Sequence, residues 1–197
     1  MKSHILAIAG FSFLALGCWR SDGQERMSMP KLFRQLQSEG TTNQALGEFL
    51  LLAPDYAAAK RYLTLHLPAL ISEKSEDHPH VWLNAMKLAG AFRTSEAIPA
   101  LVKWIGTPAS EAGEGTLAER VRLEPFPAAK TLAQIGEPAV PALANALEKA
   151  NARERPVAFR ALLLVGSPSA IRALRDHLNR EPDQSLKLEI QKALESS

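Results

Sequence analysis

The stretch "LAQIGEPAVPALANAL", Leu132 to Leu147, returns thirty residues later as "LLLVGSPSAIRALRDHL", Leu162 to Leu178. Each copy runs from an apolar helix end through a glycine (Gly136, Gly166) and a proline (Pro138, Pro168) into a second helix. A fainter third copy precedes them, with "KLAG" ending at Gly90 and "IPALVKWI" beginning at Ile98. The second helices share one frame. Positions 1, 4 and 8 are Ile98, Leu101 and Ile105, then Val140, Leu143 and Leu147, then Ile171, Leu174 and Leu178. Position 5 is Val102, Ala144 and Arg175. That spacing marks one face of a helix with 3.6 residues per turn.

The punctuation agrees with two helices per copy. A glycine suits the left-handed position that closes a helix, and a proline is tolerated in the first turn of the next, where its missing N–H costs nothing. Counting back from Gly90, Gly136 and Gly166, the fourth residue is Met86, Leu132 or Leu162 and the nearest is Ala89, Ile135 or Val165. A helical hairpin of about thirty residues cannot bury its apolar face alone, so such copies stack and bury it against one another. The expected fold is all-α: a right-handed, superhelical α-solenoid of four to five stacked helical hairpins over residues 30–197, with no sheet.

The pattern of glycine, a few polar residues and [Ile/Val]-Pro-Ala-Leu resembles the HEAT-like repeats of phycobilin lyases, within the broader armadillo-like group. It is clearest over Glu137 to Leu178 and weaker from Pro79 to Ile105. From Pro30 to Ser75 the stretches "NQALGEFLLLA" and "YAAAKRYLTLHLPALI" suggest one irregular pair, and "SLKLEIQKAL" reads as a capping helix with a polar outer face. An insertion at residues 106–124 lengthens the glycine spacing from 30 to 46, and its small residues suggest an exposed loop. Insertions in such arrays fall on one face and serve either binding or plain connection.

The first seventeen residues have a different character. Lys2 precedes an uncharged apolar run, "ILAIAGFSFLALG", which ends at Cys18, the single cysteine of the chain. This is the anatomy of a signal peptide and falls short of the roughly 20 residues of a spanning helix. "LALGC" resembles the lipobox of bacterial lipoproteins, with Ala15 where that family usually has leucine. The resemblance implies removal of residues 1–17, a lipid on Cys18 and a polar tether over residues 18–29. Cleavage by the ordinary signal peptidase, giving a soluble secreted or periplasmic form, also satisfies "ALG". The expected location is the bacterial cell envelope, anchored through the lipid.

Chemistry is sparsely written. The chain has no HExxH, no cysteine cluster, no GxSxG and no phosphate-binding glycine loop. His78 and His80 in "HPH" read as surface histidines at a helix start, and His66 and His177 as helix-surface or boundary residues. Lys and Arg are intermixed with Asp and Glu, to a net charge of +2, without the basic stripe of a nucleic-acid binder. Among repeat proteins of this resemblance, deoxyhypusine hydroxylase holds iron through His-Glu dipeptides, and none of the five histidines here precedes a glutamate. Phycobilin lyases act on cytoplasmic proteins that an exported chain does not meet.

The expectation is therefore a non-catalytic scaffold or adaptor with no cofactor and no metal, binding a protein or peptide partner. A structural subunit of an envelope complex and an unrecognised, lyase-like enzyme are the alternatives. In proteins that this chain resembles, second helices line a concave face. With positions 1, 4, 5 and 8 turned inward, positions 3, 6 and 7 would face a partner. Position 3 is always alanine, leaving room for a backbone, and Trp104, Lys103, Asn145 and His177 become the candidate contact residues. For Trp104 a second reading is open, in which it covers the core against the 106–124 insertion.

Overall fold

The computed structural model describes residues 28–52, 56–73, 78–109, 123, 125–149, 151–152 and 154–195. The expected signal sequence, Cys18, nearly all of the tether and most of the 106–124 insertion lie outside the described residues. Among the described residues there are ten α-helices and no strand. They are α1 (Met29–Leu36), α2 (Thr42–Leu50), α3 (Tyr56–Ser72), α4 (Pro79–Ala91), α5 (Ile98–Lys103), α6 (Pro127–Ile135), α7 (Val140–Lys149), α8 (Glu154–Val165), α9 (Pro168–Leu178) and α10 (Gln184–Glu195).

The helices form a two-layered α-solenoid. One layer stacks the first helices in the order α2, α4, α6, α8, α10, and the other stacks the second helices α3, α5, α7, α9. Each second helix also packs on the first helix of the following repeat: α3 on α4, α5 on α6, α7 on α8 and α9 on α10. The core runs unbroken between the layers, from Leu36 and Phe49 through Leu67, Met86, Leu101, Leu132 and Leu143 to Phe159, Leu174 and Ile190. The first unit has three helices where one irregular pair was expected, because Met29, Leu32, Phe33 and Leu36 make α1 apolar on one side and pack it on α2. Met29 is 2% exposed, so the last residue assigned to the tether belongs to the fold.

The turns follow local chemistry. Gly136 and Gly166 take φ of +84° and +60°, and their N–H groups bond back to the Leu132 and Leu162 carbonyls. Pro168 opens α9 behind Ser167, whose hydroxyl accepts the Ala170 N–H at 3.2 Å. Pro138 sits one step earlier than expected, in the 3-10 turn Glu137–Ala139 that leads into α7. Gly90 departs from the expected pattern, because it lies inside α4 without positive φ. The left-handed position here is taken by Arg93 (φ 49°). Gly90 instead marks the crossing of α4 with α6, where a Cβ would run into the Gln134 side-chain oxygen.

Polar side chains pin the first layer at fixed register. Asn84 of α4 donates to Thr42 Oγ1 and Asn43 Oδ1 of α2, at 3.3 and 2.8 Å. Thr131 of α6 donates to the Met86 carbonyl of α4 at 3.2 Å. A buried polar group is tolerated only when so partnered, and each of these bonds therefore selects one helix–helix register over its neighbours. The last helix, α10, begins under Asp183, whose carboxylate accepts the Ser185 and Leu186 N–H groups. Its outer face exposes Gln184, Ser185, Gln191, Lys192 and Glu195 around Leu188, the expected polar cap with one apolar exception.

Candidate protein-interaction surface

A second helix inside the stack is covered by neighbours on both sides and by the first layer behind it. The buried arc is consequently wider than one apolar stripe, and its centre is displaced from the expected one. Position 4 is fully buried in all three frames (Leu101, Leu143, Leu174). Position 7 turns inward with it: Ala146 and His177 are buried and Trp104 is half-buried. Position 5 moves outward, to half-buried Val102 and Ala144 and exposed Arg175. At 3.6 residues per turn this rotates the inward face by about 50° from the one read in the sequence. Position 3 is no open trough for a partner's backbone, since Ala100 is buried and Ala142 and Ala173 are half-buried.

Four of the candidate contact residues therefore separate into two pairs. Lys103 and Asn145, both at position 6, are exposed, and they stand on neighbouring helices of the second layer. His177 is 4% exposed and belongs to the interior. Its Nε2 lies 2.7 Å from Glu181 Oε2, one helical turn away, and the other Glu181 oxygen faces Arg155 of α8 at 3.4 Å and accepts the Asp183 N–H at 2.9 Å. That buried ionic group ties the end of α9 to the start of α8. The expectation of a surface or boundary His177 fails because the carboxylate four residues on gives its ring a polar partner inside the fold.

Trp104 is held at the other end of the layer. Its Nε1–H donates to the Ile71 carbonyl at 3.0 Å, and its ring meets Trp82 edge to face at 6.0 Å. Trp82 donates to the same carbonyl at 3.1 Å. Ile71 lies in the last turn of α3, where carbonyls have no intrahelical donor, and the two indoles supply it. Trp104 thus joins α3, α4 and α5, and its carbonyl accepts the Thr107 N–H at 2.9 Å where the insertion begins. Lys103 Nζ lies over the Trp104 ring, 4.9 Å from its centroid.

The remaining surface histidines stand where the sequence suggests. His78 and His80 are exposed at the start of α4, and His80 lies 3.6 Å from Glu39. His66 is exposed and stacks on Tyr62, with ring centroids 4.3 Å apart. Among the described residues no three His, Cys, Asp or Glu side chains gather as metal ligands, and no helix is long and apolar enough to cross a membrane. At the α6–α7 turn, hydrogen bonds from Ser167 and Ser169 hold the Glu137 carboxyl below the usual glutamate range.

The outward positions that remain on the second layer are 2 and 6, with position 5 where α9 carries Arg175. They present Pro99 and Lys103, Pro141 and Asn145, and Arg172, Arg175 and Asp176, all exposed. The sequence signal for this phase was present but weak: Pro99, Pro141 and Arg172 at position 2, and Lys103, Asn145 and Asp176 at position 6, are residues that a buried face disfavours. A family model describing HEAT repeats matches residues 126–195, which span α6 to α10. No curated protein and no solved structure matches the chain.

Proposed function

We propose that the protein is a non-catalytic adaptor that binds a protein or peptide along the outward face of its second-layer helices. The observation that carries this reading is the continuity of that face. Four helices, α3, α5, α7 and α9, stack side by side with exposed side chains on the side away from the first layer. Such an extended, shallow surface suits a polypeptide better than a small substrate, which needs a concave pocket with convergent polar groups. The likeness of residues 126–195 to HEAT repeats, which commonly mediate protein–protein interaction, supports the same reading.

The residues assigned to contact are Lys103 and Asn145, joined by Arg172 and Arg175. Trp104 and His177 support them from below. Recovery of partners from solubilised membranes tests this: Lys103→Glu with Asn145→Arg should lose a specific partner, and Lys130→Glu on α6 should retain it. Equal recovery by both variants would contradict the reading.

We further propose that this adaptor works in the cell envelope, exported by residues 1–17 and lipidated on Cys18. The support is the charged start, the apolar run and "LALGC". Two or three acyl chains would hold it stably, each buried methylene contributing about 0.8 kcal/mol. Cells fed radioactive palmitate should label the wild type and not Cys18→Ala. Label absent from the wild type would favour a soluble exported form.

A further inference from the structure

The second-layer face differs from the rest of the molecule in charge. Its four helices carry six Lys and Arg against Glu148 and Asp176, a balance of 6 − 2 = +4, whereas the whole chain carries +2. Everything outside them therefore sums to 2 − 4 = −2. One of the two acids is already engaged, since Glu148 pairs with Arg180 at 2.7 Å. Arg61, Lys103, Arg172 and Arg175 are exposed, and none has an ion-pair partner among the described residues. In the sequence these cations are scattered; the stacking of α3, α5, α7 and α9 brings them to one side.

We propose, building on the adaptor reading above, that this face binds an extended acidic segment of a partner protein. Neighbouring helices pack about 8–10 Å apart, so four span roughly 30 Å. An extended chain crosses that distance in about nine or ten residues, at roughly three residues per helix. Carboxylates at that interval meet Arg61 on α3, Lys103 on α5, and Arg172 and Arg175 on α9. Over α7 the segment meets Asn145, which an amide or hydroxyl satisfies as well as an acid. Leu65, one turn from Arg61 and 72% exposed, offers an apolar contact at the α3 end. Among the described residues it is the one large apolar side chain that this layer exposes, too little to insert into lipid, and this favours a peptide over an anionic membrane.

The test is a binding titration of the full chain in mild detergent with labelled peptides of about 12 residues. One peptide repeats Glu-Ala-Leu, the second has Gln for each Glu and the third has Lys. The acidic peptide should bind, weaken as salt rises, and bind about 100-fold more weakly to the triple variant Lys103→Glu, Arg172→Glu, Arg175→Glu. Lys130→Glu on the first layer should leave it unchanged. All three substitutions lie on exposed positions, and an unaltered circular dichroism melt confirms that the triple variant is folded. If the Gln or Lys peptide binds as tightly and is lost in the triple variant, the acidic class is wrong and the adaptor face stands. If none of the peptides binds and vesicles rich in anionic lipid do, through the same residues, the partner is a membrane and the proposal falls. If the acidic peptide binds equally to wild type and the triple variant, the face itself is misassigned and both readings fall.

Discussion

Trp82 and Trp104 donate to one acceptor: both indole N–H groups reach the Ile71 carbonyl, at 3.1 and 3.0 Å, with their rings nearly perpendicular. The two lone pairs of that carbonyl are thereby filled at the end of α3, and α4 and α5 are fixed against it. Replacing either tryptophan by phenylalanine keeps a ring in place and leaves one donor, so each change should cost about 1–2 kcal/mol. Among the described residues the double variant leaves the carbonyl without a donor. It should cost about 1 kcal/mol more than the sum, measured by urea unfolding. Strict additivity would show that the shared acceptor contributes nothing.

The glycines divide by conformation. Gly136→Ala places a Cβ at φ +84° and should destabilise by about 1–2 kcal/mol. Gly90→Ala meets chiefly the end of the exposed Gln134 side chain, which can swing away, and gains helix propensity of up to about 1 kcal/mol. Its melting temperature should stay near that of the wild type. A large loss at Gly90 with none at Gly136 would reverse the assignment of their roles.

Glu137 makes a prediction about acid. Hydrogen bonds from Ser167 and Ser169 lower its pKa in the folded state. Its contribution to stability is therefore complete above the ordinary glutamate pKa and is lost as pH falls through the lowered folded value. Carbon-13 NMR of the carboxyl should give a midpoint below that of free glutamate, and Ser167→Ala or Ser169→Ala should raise it. A midpoint unchanged by both substitutions would remove the hydroxyls as its cause.

Leu143 and Leu174 occupy the same place in successive repeats, and both are fully buried. Truncating either to alanine should cost roughly 2–5 kcal/mol, whereas Leu188→Ala on the exposed face of α10 should stay within about 0.5 kcal/mol. Chemical denaturation of the three variants measures this. Similar losses at all three would argue against the repeat frame.

The fold was legible because the repeat is written in large apolar residues and turn chemistry. Leu101, Leu143 and Leu174 recur at one position, and Gly136, Gly166 and Pro168 mark helix ends that the structure realises. The rotational phase of the second helices was harder to read. In α7 alanine occupies positions 3, 5 and 7, so apolarity alone does not say which of them faces inward. His177 looked polar enough for the surface until Glu181 and Arg155, brought together by the fold, gave it a buried partner. Gly90 has neighbours that resemble those of Gly136 and suggest a turn, yet it lies within α4 facing the Gln134 side chain of α6, a contact that no local pattern encodes. The unusual charge of the second layer was hidden for the same reason, since its cations come from four separated helices.

Photocrosslinking in intact cells shows directly whether partners dock on the outward second-layer face. A crosslinking amino acid is placed singly at Lys103, Asn145 and Arg172, and at Lys130 and Leu188 of the first layer as comparison. Positions 103, 145 and 172 should yield a shared crosslinked protein, and positions 130 and 188 none. The same band arising from 130 or 188, with none from the second layer, would contradict docking on that face.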